Sequence, residues 1–307
     1  MIIMSRWGTT VAALAAGVLA VGCTGGRTSA SDSPLGARRL RVVAAFYPLA
    51  FVAERVGAGR VKVKSVSKPG AEPHDVELTA RDVAAVQDAD LVLYLAHFQP
   101  AVDTALRGRE RRVLDVGAAT SVDLKIGGKT GAGAVQDPHF WLDPMSLARV
   151  GDAVADRLAA VDPGAATTYR SNAAALRADL TRVDADFRAG LQTCNGRAIV
   201  TTHTAFAYLA RAYGLTQVGI AGNDPEAEPT STDQAGAIDF ARTHNVRTIF
   251  TEPLVSSDIA RTVANEIGGT TAVLDPIESI GKASKGGDYI EVMRSNLVAL
   301  QAGLGCR

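Results

Sequence analysis

"DPGAATTYRSNAAALRADLTRVDADFRAGLQTCNG", residues 162–196, reads as one long amphipathic helix. Asp162 suits a capping position, Pro163 the first helical position and Gly196 the stop. Between them Tyr169, Ala173, Leu176, Leu180, Val183, Phe187 and Leu191 recur at three- and four-residue steps, so all seven fall on one stripe. At ~1.5 Å per residue, roughly 30 residues make a rod of ~45 Å. The flanking sequence differs from the rod on both sides.

Short β-branched runs alternate there with helical stretches. Before the rod the expected strands are residues 41–46, 61–66, 91–95 and 112–116. After it they are residues 198–201, 216–220, 247–251 and 271–274. Strands alternating with helices predict parallel sheets built from βαβ units. The fold class is therefore α/β, with two lobes, each a mainly parallel four-stranded sheet flanked by helices. The rod joins them as a spine that limits hinging. The expected organisation is a first lobe over residues 40–161, a linking helix over 162–195 and a second lobe over 196–307.

The chain has 307 residues, 47% of them hydrophobic and 21% charged, which is enough apolar material for real cores. Its formal net charge is zero, so no global field recruits nucleic acid. Residues 1–22 read as a signal peptide: Arg6 precedes an apolar run, 11–21, too short to span a bilayer. That run leads to "LAVGC", which resembles a bacterial lipobox, with Ala20 where the pattern prefers leucine. Cys23 is thus the expected lipidated residue. Residues 23–39 then form a Gly/Ser/Thr-rich tether. Cys194 and Cys306 remain as an even pair outside the cytoplasm, and a disulfide between them is expected.

Of five histidines, His74 lies in a Pro/Gly loop after the second strand and His139 in "DPHFWLDP" after the fourth. His203 follows the first strand of the second half. Asp275, in "TAVLDP", follows the last strand. Ligands of parallel sheets gather at strand carboxyl ends, so these four meet only if the lobes face each other across a cleft. Three imidazoles and one carboxylate suit Zn²⁺. His97 is expected near the same rim, His244 at the surface, and Phe140 and Trp141 as packing behind His139. Glu72 could reach a metal-bound water and is left outside the ligand set.

The segments "PGAEPHDVELTARDV", "DPHFWLDP", "THTAFAYLARAYGL", "PEAEPTSTD", "IFTEPLVSS", "AVLDPIES" and "GGDYIEVMRSNL" resemble, in order, the metal-binding solute-binding lipoproteins of bacterial ABC importers. The resemblance implies two α/β lobes joined by a backbone helix and a metal held between them by His74, His139, His203 and Asp275. Histidine at the third ligand position accompanies zinc in that family, whereas manganese and iron members place glutamate there. Residues 126–136 contain none of the histidines that many zinc members carry in this loop. Glu252 belongs to a family motif and is not assigned to the metal.

The resemblance further implies a monomeric, non-enzymatic protein, lipid-anchored on the extracytoplasmic face of the membrane. It would pass zinc to an ABC permease driven by a cytoplasmic ATPase. The competing readings are a manganese or iron carrier, a surface adhesin and a zinc hydrolase. A hydrolase would need an open metal position, and the chain contains neither H-E-x-x-H nor G-x-S-x-G.

Overall fold

Each strand expected from the sequence forms, within a residue or two at its ends, and the strands assemble into two sheets. The structure, a computed structural model, describes residues 38–108, 110–120, 123–126 and 135–307. The signal peptide, Cys23 and nearly all of the tether lie outside these residues. No described helix is long and apolar enough to cross a membrane.

The first lobe runs β1 (Leu40–Ala44), α1 (Tyr47–Gly57), β2 (Val61–Ser65), α2 (Ala80–Asp88), β3 (Leu91–Tyr94), α3 (Pro100–Ala105), β4 (Val113–Asp115) and α4 (Gly117–Thr120). A short antiparallel pair follows, β5 (Lys125–Ile126) and β6 (Val135–Gln136), then α5 (Pro144–Val161). After α6 (Ala166–Gly190) come β7 (Ala198–Thr201), α7 (Ala207–Tyr213), β8 (Thr216–Gly219), α8 (Ser231–Thr243) and β9 (Thr248–Thr251). The chain ends with α9 (Asp258–Glu266), β10 (Thr270–Val273) and α10 (Tyr289–Leu304). The sheet orders are β2-β1-β3-β4 and β10-β9-β7-β8, all parallel. The sequence reading did not include the β5–β6 pair.

Helices cover both faces of the sheets, and strand sequences reflect it. Val42, Val43 and Ala44 are buried in succession, as expected where a parallel strand has no solvent face. In β7, Ile199 joins the main core whereas Ala198 and Val200 join a second cluster with Ile220, Ile249 and Val263 on the opposite side. Helices α2 and α8 start alike: the Thr79 hydroxyl accepts from Asp82 N, and Thr230 from Asp233 N, each aspartate reaching back to the capping backbone.

The apolar stripe of α6 is buried along its length, from Tyr169 through Phe187. The helix is shorter than expected, with 25 residues spanning ~38 Å. A 3-10 turn, Pro163–Ala165, precedes it, and Asp162 accepts from the Tyr169 hydroxyl at 2.9 Å rather than capping the helix. Helix α6 packs on α1, α5 and α10. Its stripe belongs to the main core together with Val292, Leu297 and Leu300 of α10, so the spine is stiffened by packing on both halves. Beyond its end a Cys194–Cys306 disulfide ties the chain to the last turn of the second lobe.

Candidate metal centre

Four loops at strand carboxyl ends carry the site, and each is braced before it presents its side chain. The loop after β2 is held to the first lobe by Gln99, which is buried. Its Nε2 donates to Pro73 O at 2.8 Å and Ser67 Oγ at 3.2 Å. The Glu72 carboxylate accepts from His74 N at 2.8 and 2.9 Å, so it shapes the loop that carries His74. Burial raises the Glu72 pKa, against the lowering effect of His74.

In "DPHFWLDP" the prolines and a single 3-10 turn, Phe140–Leu142, fix the path. Asp137 Oδ1 accepts from His139 N at 2.9 Å and from ring Nδ1 at 2.7 Å. Trp141 packs on His139, as expected, with 5.2 Å between ring centroids. It also donates from Nε1 to Pro276 O at 2.8 Å, while the Tyr289 hydroxyl donates to Trp141 O at 2.6 Å. The His139 turn is thereby fastened to the second lobe.

His203 leaves the end of β7, where Thr201 Oγ1 donates to its carbonyl at 2.6 Å. Glu252, after β9, accepts from the Thr202 hydroxyl and from His203 N, and its Oε2 lies 2.6 Å from His203 Nδ1. The His203 Nε2 is buried without an aligned hydrogen-bond partner.

The three imidazoles converge, but on Glu278 rather than Asp275. Among the described residues, one ligand atom from each of His74, His139, His203 and Glu278 lies within 4.8 Å of the others. Glu278 Oε1 is 2.8 Å from His139 Nε2, 3.2 Å from His74 Nε2 and 3.4 Å from His203 Nε2. A tetrahedron with Zn–ligand bonds of ~2.0–2.1 Å has edges of roughly 3.3 Å, close to these separations. The orphaned His203 Nε2 fits a metal ligand for the same reason.

Asp275, expected in the ligand set, lies outside this cluster. Its Oδ1 accepts from Ile277 N at 2.8 Å, and Asn296 clamps its backbone from both sides at 2.8 and 2.7 Å. Its Oδ2 is buried, and burial pushes its pKa up to about 6 against the lowering effect of the Ile277 N–H and Ser284. Ile277 takes φ +56°, a left-handed conformation costly for a β-branched residue. That backbone turn lets the side chain three residues beyond Asp275 reach the imidazoles. The sequence signal for Glu278 was its place inside "AVLDPIES"; nothing in the pattern ranked it above Asp275.

His139 and His203 are fully buried, and the His74 side chain is 11% exposed. A cavity of about 400 Å³ lined by His74, His97, Phe98, Pro138 and Asn223 opens beside the cluster. Solvent therefore approaches from the His74 side. His97 is on that rim and outside the cluster, while His244 is exposed and stacks on Phe240.

Neighbouring carboxylates set the charge on two of the imidazoles. Burial opposes charge on His139, but the Asp137 and Glu278 carboxylates outweigh it and raise its pKa. Burial likewise opposes charge on His203, yet Glu252 and Glu278 carry its pKa up to about 10. Burial would raise the Glu278 carboxyl, but the three imidazoles hold it well below its ordinary value. A divalent cation held there would displace protons from the Nε2 atoms. Asp137 and Glu252 would remain beside Nδ1 of His139 and His203, where they would fix ring orientation and raise ligand basicity.

The family model described as zinc-uptake complex component A, periplasmic, matches residues 42–303. The chain belongs to that family. It is 31% identical over 315 aligned positions to the high-affinity zinc uptake system protein ZnuA of Bacillus subtilis (strain 168), covering 97% of this chain and 98% of that protein. It is 32% identical over 279 positions to the zinc-binding lipoprotein AdcA of Streptococcus pneumoniae, covering 86% of this chain and 55% of AdcA. The chain thus spans about half of AdcA.

Among solved structures, a Zn(II)-bound AdcAII variant of Streptococcus pneumoniae matches with TM-score 0.78 and 29% identity, over 88% of this chain and all of that one. The laminin-binding protein Lmb of Streptococcus agalactiae, described as having adhesin and metal-transporting activity, matches with TM-score 0.76 and 30% identity. That match covers 87% of this chain and 100% of that one. The family is one of solute-binding proteins for zinc uptake, not enzymes.

Proposed function

We propose that this protein captures Zn²⁺ outside the cytoplasm through His74, His139, His203 and Glu278 and delivers it to an ABC permease powered by a cytoplasmic ATPase. The observation that carries the reading is the meeting of three Nε2 atoms on one Glu278 oxygen, at separations of 2.8, 3.2 and 3.4 Å. Three nitrogens and one carboxylate oxygen, drawn from both lobes, form a closed four-ligand set. That arrangement favours holding zinc over activating a water on it, and imidazole favours zinc over the harder manganese. Membership of the zinc-uptake family supports the transport role.

The site is complete within one chain, which supports a monomer. The lipobox-like "LAVGC" supports anchoring through Cys23 on the extracytoplasmic face, with the tether giving reach toward the permease. The test is metal content after purification, followed by competition between Zn²⁺ and Mn²⁺. We expect one tightly held zinc per chain that Mn²⁺ does not displace. Unchanged zinc affinity in the His139→Ala/His203→Ala double variant would overturn the assignment.

A further inference from the structure

Two of the four ligand loops touch each other directly, away from the metal cluster. The loop after β2 carries His74, and the loop after β10 carries Glu278. Ser279, the residue after Glu278, accepts on Oγ from Gly70 N at 2.8 Å and donates from Oγ to Lys68 O at 3.2 Å. Ser279 is buried, so its hydroxyl is committed to this one pair of backbone groups. Two residues further on, Gly281 lies against Gly70. A Cβ built on Gly281 would stand 2.9 Å from Gly70 Cα, closer than such atoms come, and 3.6 Å from Gly70 N.

The two glycines are needed for different reasons. Gly70 has φ +74°, which favours glycine by conformation alone. Gly281 is outside the left-handed region, so an alanine there suits the backbone, and what its methyl meets is Gly70 on the facing lobe. The contact therefore fixes how near the His74 loop and the Glu278 loop approach.

We propose that Gly70, Ser279 and Gly281 form an interlobe latch whose closure positions His74 and Glu278 and sets how long zinc is retained. This rests on the zinc-binding reading above. The three act as positioning residues, since none of them belongs to the ligand cluster. Because the same loop approach closes the latch and assembles the ligands, the two are thermodynamically linked: whatever opposes closure weakens zinc binding to the degree that zinc favours the closed state over the open one. Zinc already bound must open the latch to leave, so the effect falls on dissociation.

The experiment uses the mature chain and Zn²⁺ itself, with chelator-driven release followed by stopped flow and melting followed with and without zinc. Ser279→Ala should speed release by ~3–10-fold, the worth of one buried hydrogen-bond pair, and Gly281→Ala by about tenfold or more. Ser279→Thr keeps the hydroxyl and should restore slow release. Gly222→Ala, at a glycine with open space around it, should release zinc at the native rate. In Ser279→Ala and Gly281→Ala the zinc-loaded melting temperature should fall further than the metal-free one, so the zinc-induced rise shrinks in both. Native release rates in Gly281→Ala would overturn the latch. So would a metal-free melting temperature lowered as far as the zinc-loaded one, which would mark a purely structural role. If the native chain itself failed to bind zinc, the functional reading would fall instead, and the two failures are distinguishable.

Discussion

Lowering the pH from 8 to 6 should weaken zinc binding by at least about 100-fold. In the metal-free protein His203 is held protonated by Glu252 and Glu278, with its pKa pushed up to about 10. Zinc needs that Nε2 bare, so throughout this range binding displaces one proton from His203. Each displaced proton weakens binding tenfold per pH unit, or ~1.4 kcal/mol. His139, also raised, steepens the slope wherever the pH is below its pKa.

Folding stability of the metal-free chain should follow the opposite trend. A histidine raised on folding contributes stability fully below its unfolded value of ~6.5. That contribution disappears as pH climbs through about 10. Between pH 6.5 and 10 the metal-free protein should therefore lose stability while zinc affinity grows. Calorimetric titration at pH 7 in two buffers of different ionisation heat counts the released protons directly. Release of fewer than about half a proton per zinc, together with a flat affinity profile, would refute the protonated-cluster reasoning.

Glu278→Gln should weaken zinc binding by more than about 100-fold, whereas Asp275→Asn should stay within about tenfold of native, as suits a turn-forming residue; competition titration of both variants checks the contrast. Glu252→Gln should cost ~10–100-fold in affinity and bring the His203 pKa down, which NMR titration of the metal-free variant would read. Replacing Cys194 and Cys306 together by serine should cost about 2–4 kcal/mol of stability, the usual worth of a disulfide closing a long loop, measured by denaturant unfolding; free-thiol titration of the native chain should find this pair oxidised.

Much of the molecule was readable before folding because it depends on local periodicity. The α6 stripe from Tyr169 to Phe187 follows from helical geometry, and the eight strands follow from short β-branched runs between helical stretches. The strand-end positions of His74, His139 and His203 placed them on a common rim, and the structure brings all three together. The environment of α6 was less legible, since a stripe declares a buried face without naming its neighbours. Its neighbours turned out to include α10, more than a hundred residues away.

Which of Asp275 and Glu278 stands beside the imidazoles was decided by tertiary structure alone. Both are carboxylates in one short turn, and side-chain chemistry does not separate them. What separates them is the left-handed backbone at Ile277, an unfavourable conformation for isoleucine that no local propensity predicts. It is held by the Asp275–Ile277 and Trp141–Pro276 hydrogen bonds and by the burial of Ile277. Sequence by itself determined the two-lobed α/β frame and the three imidazoles, because periodicity and strand ends are local properties. The fold decided which carboxylate meets the imidazoles, because the direction of a side chain on a strained turn depends on contacts made by the opposite lobe.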